Sequence, residues 1–342
     1  MPAVRTLRHD MLFDAASWAR LTRVSRWRGA MLVAHGWAVI ALAAGAATWA
    51  AHPLAWLAAV VLIGGRQLGL AILMHEAAHG LLHPDRGANN FLGQWLTGAA
   101  VGSDLPAYRA YHLRHHKYTQ QPEDPDLPLS APFPTSRASL WRKVARDLSG
   151  LTFLKQRTAQ FAMAIKGMAA MGAPRGSEAA PRDSRAGTPF NKADAGGTSL
   201  TSGNGGDASV TRSVARFLLV QALLLALSLT LYGWTPFLLW LAALATTFPL
   251  FLRLRNIAEH ACTSVGSDDP FSHARTTRAN LIERATVAPY WVNFHAEHHL
   301  FMGVPCYRLA EVHRLLGERG HHSAMTIAPG YAAVLRTTTG SR

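Results

Sequence analysis

The sequence predicts an all-α integral membrane protein with four transmembrane helices in two hairpins and a cytoplasmic helical cap. Three observations support this fold: four long stretches carry almost no charge, basic residues flank them on one side, and histidines cluster where they end. Only 16% of the 342 residues are charged and 49% are hydrophobic, whereas an average soluble domain is about 25% charged. The two cysteines, Cys262 and Cys306, exclude a disulfide scaffold and a zinc ribbon built from Cys-x-x-Cys pairs.

The first hairpin is predicted at residues 30–74. Residues 30–51 contain no Arg, Lys, Asp or Glu, and as a helix they would measure about 33 Å, enough to cross a hydrocarbon core. Residues 53–74 follow almost at once and are interrupted only by Arg66 and Gln67. Because so short a linker permits only a tight turn, the two helices should be antiparallel neighbours.

The second hairpin is predicted at residues 214–252. Its two apolar stretches, residues 217–232 and 236–252, are joined by a short turn at Gly233, Trp234 and Thr235. Each stretch is near the short end of the length that a transmembrane helix requires.

Basic residues predict that both termini and all long connections face the cytoplasm. The N-terminal segment, residues 1–29, is rich in arginine, and the segments at 75–171 and 253–342 are also basic, whereas the two hairpin turns carry no Lys or Arg. Lys and Arg are enriched on the cytoplasmic side of membrane proteins. The net charge of +14 is therefore attributed to orientation in the membrane and not to nucleic-acid binding, which we do not expect.

Three further segments have weaker patterns. Residues 91–105 are apolar but short, as expected of an interfacial or re-entrant segment. Residues 151–171 mix basic and apolar side chains, which predicts an amphipathic helix on the membrane surface. Residues 172–213 are dense in Gly, Ser, Ala, Asp and Thr, a composition that predicts a disordered cytoplasmic loop.

The histidines form four clusters at the ends of the predicted hairpins. They are HEAAH at 75–79, HLRHH at 112–116, NIAEH at 256–260 and HAEHH at 295–299. If these segments are helical, spacings of three and four place the side chains on one face. Imidazole is a good ligand for zinc, copper, nickel and iron. Up to nine imidazoles are too many for one tetrahedral ion and suit two metals of higher coordination.

Two simpler hypotheses account for the histidines less well. The motif His75-Glu76-x-x-His79 is also that of zinc peptidases, in which two histidines bind zinc and the glutamate is the general base. A peptidase needs only one further ligand, which leaves the two His-x-x-His-His clusters without a role. Chance clustering of surface histidines would not gather three such motifs on one predicted face.

The ordered set HEAAH, HLRHH and HAEHH on two membrane hairpins resembles the integral-membrane fatty acid desaturase and hydroxylase superfamily. The resemblance extends over about residues 49–316, and HAEHHLFMGVPCYRL is similar to bacterial acyl-chain desaturases, which implies a bacterial inner membrane. It implies two non-haem irons that activate O2 as co-substrate. The implied catalytic iron ligands are His75, His79, His112, His115, His116, His260, His295, His298 and His299.

The resemblance also suggests residues that support the ligands. The NIAEH segment is similar to the family's Asn-x-x-x-His element, which makes Asn256 a candidate to hold a metal-bound water. Glu76, Glu259 and Glu297 each lie within a motif and are expected to accept an imidazole N–H, orienting the ring and moderating the charge of the metals. Asp124 is expected to have a structural or supporting role and not to ligate a metal.

The sequence leaves four functions open. The first is an O2-dependent diiron desaturase of a fatty acyl chain in the membrane, supplied with electrons by a ferredoxin, rubredoxin or cytochrome, because no flavin, haem or iron–sulfur motif is found. The second is a hydroxylase or ketolase of a lipid or carotenoid with the same metals. A zinc membrane peptidase and a metal-binding or transport protein are the others. Arg66 and Gln67 are expected either to touch a polar substrate group or to make structural hydrogen bonds.

Overall fold

The computed structural model describes residues 4–172 and 207–340, and these residues are mostly helical. The α-helices are α1 Ala15–Thr22, α2 Arg28–Ala50, α3 Pro53–Ala78, α4 Arg86–Gly93, α5 Leu105–Tyr118, α6 Leu127–Ser130, α7 Arg137–Leu148, α8 Leu151–Gly172, α9 Asp207–Leu231, α10 Thr235–Ala245, α11 Thr247–His260, α12 Leu281–Ala285, α13 His295–Leu300, α14 Cys306–Glu318 and α15 Tyr331–Thr338. Two short strands, β1 Arg275–Thr277 and β2 Thr326–Ala328, pair in parallel.

Within the described residues, four helical segments are long and apolar enough to cross a membrane. They are Arg28–Ala50, Pro53–Ala78, Ser209–Leu231 and Thr235–His260. The fourth combines α10 and α11, which meet at Thr246, and Pro249 lies in the first turn of α11, where its missing N–H is tolerated. The four predicted apolar stretches are thus confirmed as helices of sufficient length, while the position and orientation of the membrane stay predictions.

Helix α3 is the centre of the packing. It contacts α2, α10, α11, α4 and α5, and from Ile63 to Ala78 its residues are buried. Close approach depends on two glycines, because a Cβ at Gly64 would collide with the Thr247 side chain and one at Gly65 would collide with the Ala285 carbonyl. Helix α2, in contrast, exposes Met31, Leu42 and Trp49, as expected of a helix with a lipid-facing side.

The segment at 91–105 is a broken helix in the described structure. Helix α4 continues into a π-helix, Gln94–Gly98, and a 3-10 turn, Ala99–Val101, and most of these residues are buried. Arg157 of α8 donates hydrogen bonds to the Val101 and Gly102 carbonyls, so the carbonyls of this irregular segment are satisfied by protein.

Two helices extend beyond the boundaries predicted from the sequence. Helix α9 begins at Asp207, so the end of the segment predicted to be disordered (172–213) is helical, while residues 173–206 lie outside the described part of the chain. The fourth apolar helix does not end at residue 252 but continues to His260. The 112–116 cluster is helical, as its spacing assumed, and lies within α5. Both extensions consist of largely polar sequence, which hydropathy alone does not assign to a membrane helix.

Candidate metal centre

Nine buried or half-buried histidines meet where four helices end. His75 lies in the last turn of α3 and His79 is its C-cap, so the two rings are one turn apart on the same side. The other seven lie on α5 (His112, His115, His116), at the end of α11 (His260) and on α13 (His295, His298, His299).

Local sequence explains why α5 presents its histidines inward. Asp104 caps the helix by accepting the Ala107 N–H at 3.1 Å, and Pro106 occupies the first turn, where proline favours helix initiation. His112 and His116 then face the same direction because they are four residues apart.

The first group contains five imidazoles: His75, His79, His112, His116 and His298. Their potential ligand atoms all lie within 4.8 Å of one another. The Nε2 atoms form a chain of short contacts: 2.8 Å between His75 and His298, 3.0 Å between His298 and His116, 2.9 Å between His116 and His112, and 2.9 Å between His112 and His79. Five nitrogens therefore converge on one point.

The second group contains His115, His260, His295 and His299, again with ligand atoms within 4.8 Å. The Nε2 of His295 is 2.9 Å from that of His260 and 3.0 Å from that of His299. The groups are neighbours, because the ring centroids of His116 and His299 are 4.2 Å apart. All nine histidines singled out in the sequence belong to one of the two groups.

The spacing of the nitrogens suits metals of higher coordination. At a metal–nitrogen distance of about 2.05 Å, ligands at right angles are about 2.9 Å apart and tetrahedral ligands about 3.3 Å apart. The contacts between neighbouring Nε2 atoms, 2.8–3.0 Å, match the right-angle value. The donor set therefore fits two metal ions with octahedral-type geometry better than a tetrahedral zinc.

The opposite ring nitrogens of five of the nine histidines contact polar groups, four through hydrogen bonds and that of His295 at ion-pair distance. Nδ1 of His115 contacts Asp124 at 2.8 Å and Nδ1 of His295 contacts Glu259 at 3.2 Å. The remaining partners are the Tyr108 hydroxyl for His75, the His273 carbonyl for His260 and the Thr119 hydroxyl for His299. Such contacts hold a ring so that Nε2 points at a metal.

Burial keeps most of these imidazoles neutral, which is the form that binds metal. Burial, with the charges of neighbouring imidazoles, lowers the pKa of His112, His116 and His299 well below the ordinary value. Burial also lowers the pKa of His115, but the charges of Asp124, Asp126 and Glu259 and the hydrogen bond to Asp124 outweigh it and raise that pKa to about 9. A metal ion bound to Nε2 of His115 would supply the positive charge opposite Asp124 that a second proton on the ring supplies in its absence.

Comparison with known proteins identifies the family. The profile of the fatty acid desaturase family matches residues 47–330. The chain belongs to the fatty acid desaturase family. The chain is 26% identical over 328 residues to a dihydrorhizobitoxine desaturase of Bradyrhizobium elkanii. The match covers 91% of this chain and 79% of that protein.

A second relative is a β-carotene ketolase of Paracoccus sp. (strain PC1). It is 34% identical over 79 residues, which cover 23% of this chain and 33% of that protein. Together the comparisons confirm the resemblance found in the histidine motifs and support an oxidoreductase of the desaturase and hydroxylase type.

The three glutamates of the desaturase-family motifs have different partners. Glu259 contacts His295, as expected, and also forms an ion pair with Arg255 at 2.5 Å. For Glu76 the expectation was wrong: its Oε2 accepts the Cys306 backbone N–H at 2.8 Å.

Glu297 accepts an imidazole N–H, but from a histidine outside the two groups. Its Oε1 accepts the Nδ1–H of His313 at 2.6 Å, and its Oε2 accepts the Thr276 hydroxyl. Glu297 lies two residues after His295, about 200° around the helix axis, so its side chain points away from the metal-facing side of α13.

Asn256 lies beside the second group. It lines a cavity together with His115, His260 and His295, and its Oδ1 is 3.3 Å from the Arg255 guanidinium. A water held by Asn256 stays a prediction.

A second, mostly apolar cavity adjoins both groups. Ile72, Val292, Leu309 and the Tyr290 ring form its apolar walls, and Glu76 and Cys306 also line it. The imidazoles at this cavity are His75 and His298 of the first group and His295 of the second. The cavity therefore borders imidazoles of both groups.

Several supporting residues were missed in the sequence. Tyr108 lies four residues before His112, and Thr119 lies four residues after His115. This helical spacing could have predicted that both side chains lie on the histidine-bearing side of α5. The His273 carbonyl had no local signal, because the loop that carries it is brought to His260 by tertiary packing.

The polar pair inside the first hairpin has structural partners. Nη2 of Arg66 donates to the Arg284 and Ala285 carbonyls, and Gln67 donates to the Trp240 carbonyl. Of the two roles considered, these contacts support structural hydrogen bonding.

Proposed function

We propose that this protein is an O2-dependent, non-haem diiron desaturase that introduces a double bond into a fatty acyl chain of a membrane lipid. The observation that carries the proposal is the convergence of nine imidazoles into groups of five and four beside one apolar cavity. Such a reaction serves fatty acid and lipid metabolism.

The nine histidines would hold the two irons, five ligands for one and four for the other. Asn256 would complete the second site through a water. When bound, the iron pair supplies O2 activation strong enough to break unactivated C–H bonds. The other supporting residues keep the rings oriented: Asp124, Glu259, Tyr108, Thr119 and the His273 carbonyl.

The overall reaction fixes what else must be supplied. Removing two hydrogens from –CH2–CH2– yields –CH=CH– and provides two of the four electrons that reduce O2 to two waters. The remaining two electrons and two protons come from outside, and the carrier is a ferredoxin, a rubredoxin or a cytochrome. The net charge of +14 favours an acidic carrier through electrostatic attraction.

In this proposal the reacting part of a substrate reaches the metals at the apolar cavity. Ile72, Val292 and Leu309 would shield a hydrocarbon from water there, while the imidazoles occupy one side. Carbon atoms lying against His75, His298 and His295 would be the reacting ones. The active site and both termini would face the cytoplasm, in a bacterial inner membrane.

A hydroxylase or ketolase of a lipid or carotenoid is the second candidate. The local likeness to the β-carotene ketolase favours it, and the same ligand set serves either outcome. Because one relative is named for dihydrorhizobitoxine, smaller amphiphiles are also among the substrates to be tested. A zinc peptidase would leave most of the nine imidazoles without a role.

The test is a mass-spectrometric profile of lipids, fatty acids and small amphiphiles in cells producing three forms of the protein. These are the wild type, His298→Ala, and the control His83→Ala, which changes a half-buried histidine outside both groups. A new unsaturated species is expected with the wild type and the control only. A hydroxylated or keto species would favour the second candidate. An unchanged acyl profile with iron bound would contradict an acyl substrate.

A further inference from the structure

Helix α12 exposes two neighbouring large apolar side chains that no described residue covers. Leu281 is 84% exposed and Ile282 is 76% exposed. Exposed adjacent apolar residues on an ordered helix indicate contact with a partner or a membrane. The helix is firmly built, because Asn280 and Glu283 form a reciprocal capping box at its start.

The far end of α12 lies against the middle of a membrane-spanning helix. Arg66 of α3 donates hydrogen bonds to the Arg284 and Ala285 carbonyls at 3.0 and 2.9 Å. At the neighbouring Gly65 the Ala285 carbonyl lies so close that a Cβ would collide with it. Arg66 thereby satisfies carbonyls of the last turn of α12, a position at which a cation is favourable.

The contact with α3 fixes the depth of α12. Arg66 lies nine residues before His75, which is about 13 Å along the helix axis. Residues 53–74 carry no other charged side chain, and a span of about 20 residues beginning at Pro53 would place the hydrocarbon boundary on the histidine side between Arg66 and His75. Helix α12, which meets α3 at Gly65 and Arg66, therefore lies at that boundary or deeper in the hydrocarbon region.

Arg66 itself supports this depth. Its side chain is almost fully buried beneath α12, with the guanidinium 5.5 Å from the centre of the Tyr290 ring. A cation at this depth would otherwise meet lipid, which is costly. The exposed Arg278, before α12, and the exposed Arg284, within it, have long side chains able to reach the headgroups from a helix lying in the interface.

We infer that α12 is a membrane-dipping helix that inserts Leu281 and Ile282 into the acyl region of the leaflet nearer the histidines. The partner is the lipid bilayer itself. The chain that follows α12 is buried and reaches Tyr290, which lines the apolar cavity. If the proposed function holds, α12 places a wall of this cavity at the depth of the lipid acyl chains.

Spin labels on single cysteines test this inference independently of catalysis. The full-length protein would carry Cys262→Ser, which removes the exposed native cysteine and leaves the buried Cys306. Leu281→Cys and Ile282→Cys are the test variants. Leu223→Cys on α9 is the lipid control and Val265→Cys, in a loop outside the four apolar helices, is the aqueous control; both native residues are exposed.

Each variant would be labelled, reconstituted in phosphatidylcholine–phosphatidylglycerol vesicles and exposed separately to O2 and to a water-soluble nickel complex. We expect labels at 281 and 282 to resemble the label at 223, with several-fold less relaxation by nickel than the label at 265. Labels at 281 and 282 that respond to nickel as strongly as the label at 265 would overturn the inference. Unchanged iron content in each labelled variant verifies folding, and loss of catalytic activity would bear on the proposed function alone.

Discussion

The Nδ1 atom of His115 donates a hydrogen bond to Asp124 at 2.8 Å, and both side chains are buried. Asp124 cannot turn to a metal, because it also accepts the backbone N–H groups of Gln120 and Asp126, each at 2.8 Å. The carboxylate is thus fixed behind the ring, where it orients Nε2 and offsets positive charge.

Replacing this carboxylate should weaken the second metal group. We expect Asp124→Asn to lower iron affinity about 10- to 100-fold, the usual effect of removing a partner of a ligating histidine. Iron retained after dialysis against increasing chelator concentrations measures the effect. Asp10→Asn is the control, because Asp10 pairs with Arg8 at the surface. Equal retention in both variants would show that Asp124 does not support a metal ligand.

Removing one histidine from the second group should release one metal. We expect His260→Ala to lower bound iron from about two to about one per chain, since its group retains only three imidazoles while the five of the first group remain. His313→Ala, outside both groups, is the control. Elemental analysis of the purified proteins measures the ratio, and two irons retained by His260→Ala would contradict the grouping.

Filling the apolar cavity should stop turnover without removing metal. We expect Val292→Phe to occupy the space beside His75 and His298, with overpacking costing about 1–3 kcal/mol of stability. Product formation should fall while iron content stays near that of the wild type. Val265→Phe, at an exposed loop position, is the matched control. Full turnover by Val292→Phe would mean that the substrate binds elsewhere.

The metal-free protein should lose stability both at acidic and at alkaline pH. Burial lowers the pKa of His112, His116 and His299, so the unfolded chain binds more protons below about pH 6.5 and stability falls on acidification. For His115 the pKa is raised to about 9, so its stabilising contribution is full below about pH 6.5 and is lost as pH rises through 9. Thermal unfolding of chelator-treated protein from pH 5 to 10 should give a maximum near neutrality. A flat profile would contradict buried, neutral imidazoles.

A buried ion pair joins α7 to α11. Asp147 is completely buried, contacts the Arg253 guanidinium and accepts the Thr152 hydroxyl at 2.5 Å. We expect Asp147→Ala to destabilise the protein by about 3–5 kcal/mol, because it leaves a buried cation without its carboxylate. The double variant Asp147→Leu/Arg253→Met should recover much of the loss. Unfolding midpoints in detergent provide the comparison, and a single variant as stable as the wild type would contradict this role.

The sequence predicted the helices and the ligand candidates better than their supports. Charge-free stretches revealed α2 and α3 because lipid requires long apolar helices, and the His-x-x-His-His spacing placed rings on one helical face. The partners of Nδ1 were not predictable in the same way. The His273 carbonyl reaches His260, and Cys306 reaches Glu76, through contacts between segments distant in sequence.

The depth of α12 was also hidden in the sequence. Leu281 and Ile282 are two apolar residues among polar ones, with no periodic pattern to predict a membrane contact. Only the hydrogen bonds from Arg66 to the Arg284 and Ala285 carbonyls reveal their level along α3. The same bonds account for Arg66 in an otherwise apolar helix.

The proposed diiron site is tested by elemental analysis for iron and zinc on protein purified from membranes without chelators, combined with Mössbauer spectroscopy of iron-57-enriched samples. We predict about two irons per chain, electronically coupled as a pair, consistent with two adjacent nitrogen-rich groups. One zinc per chain and no iron would contradict a diiron site held by the nine imidazoles.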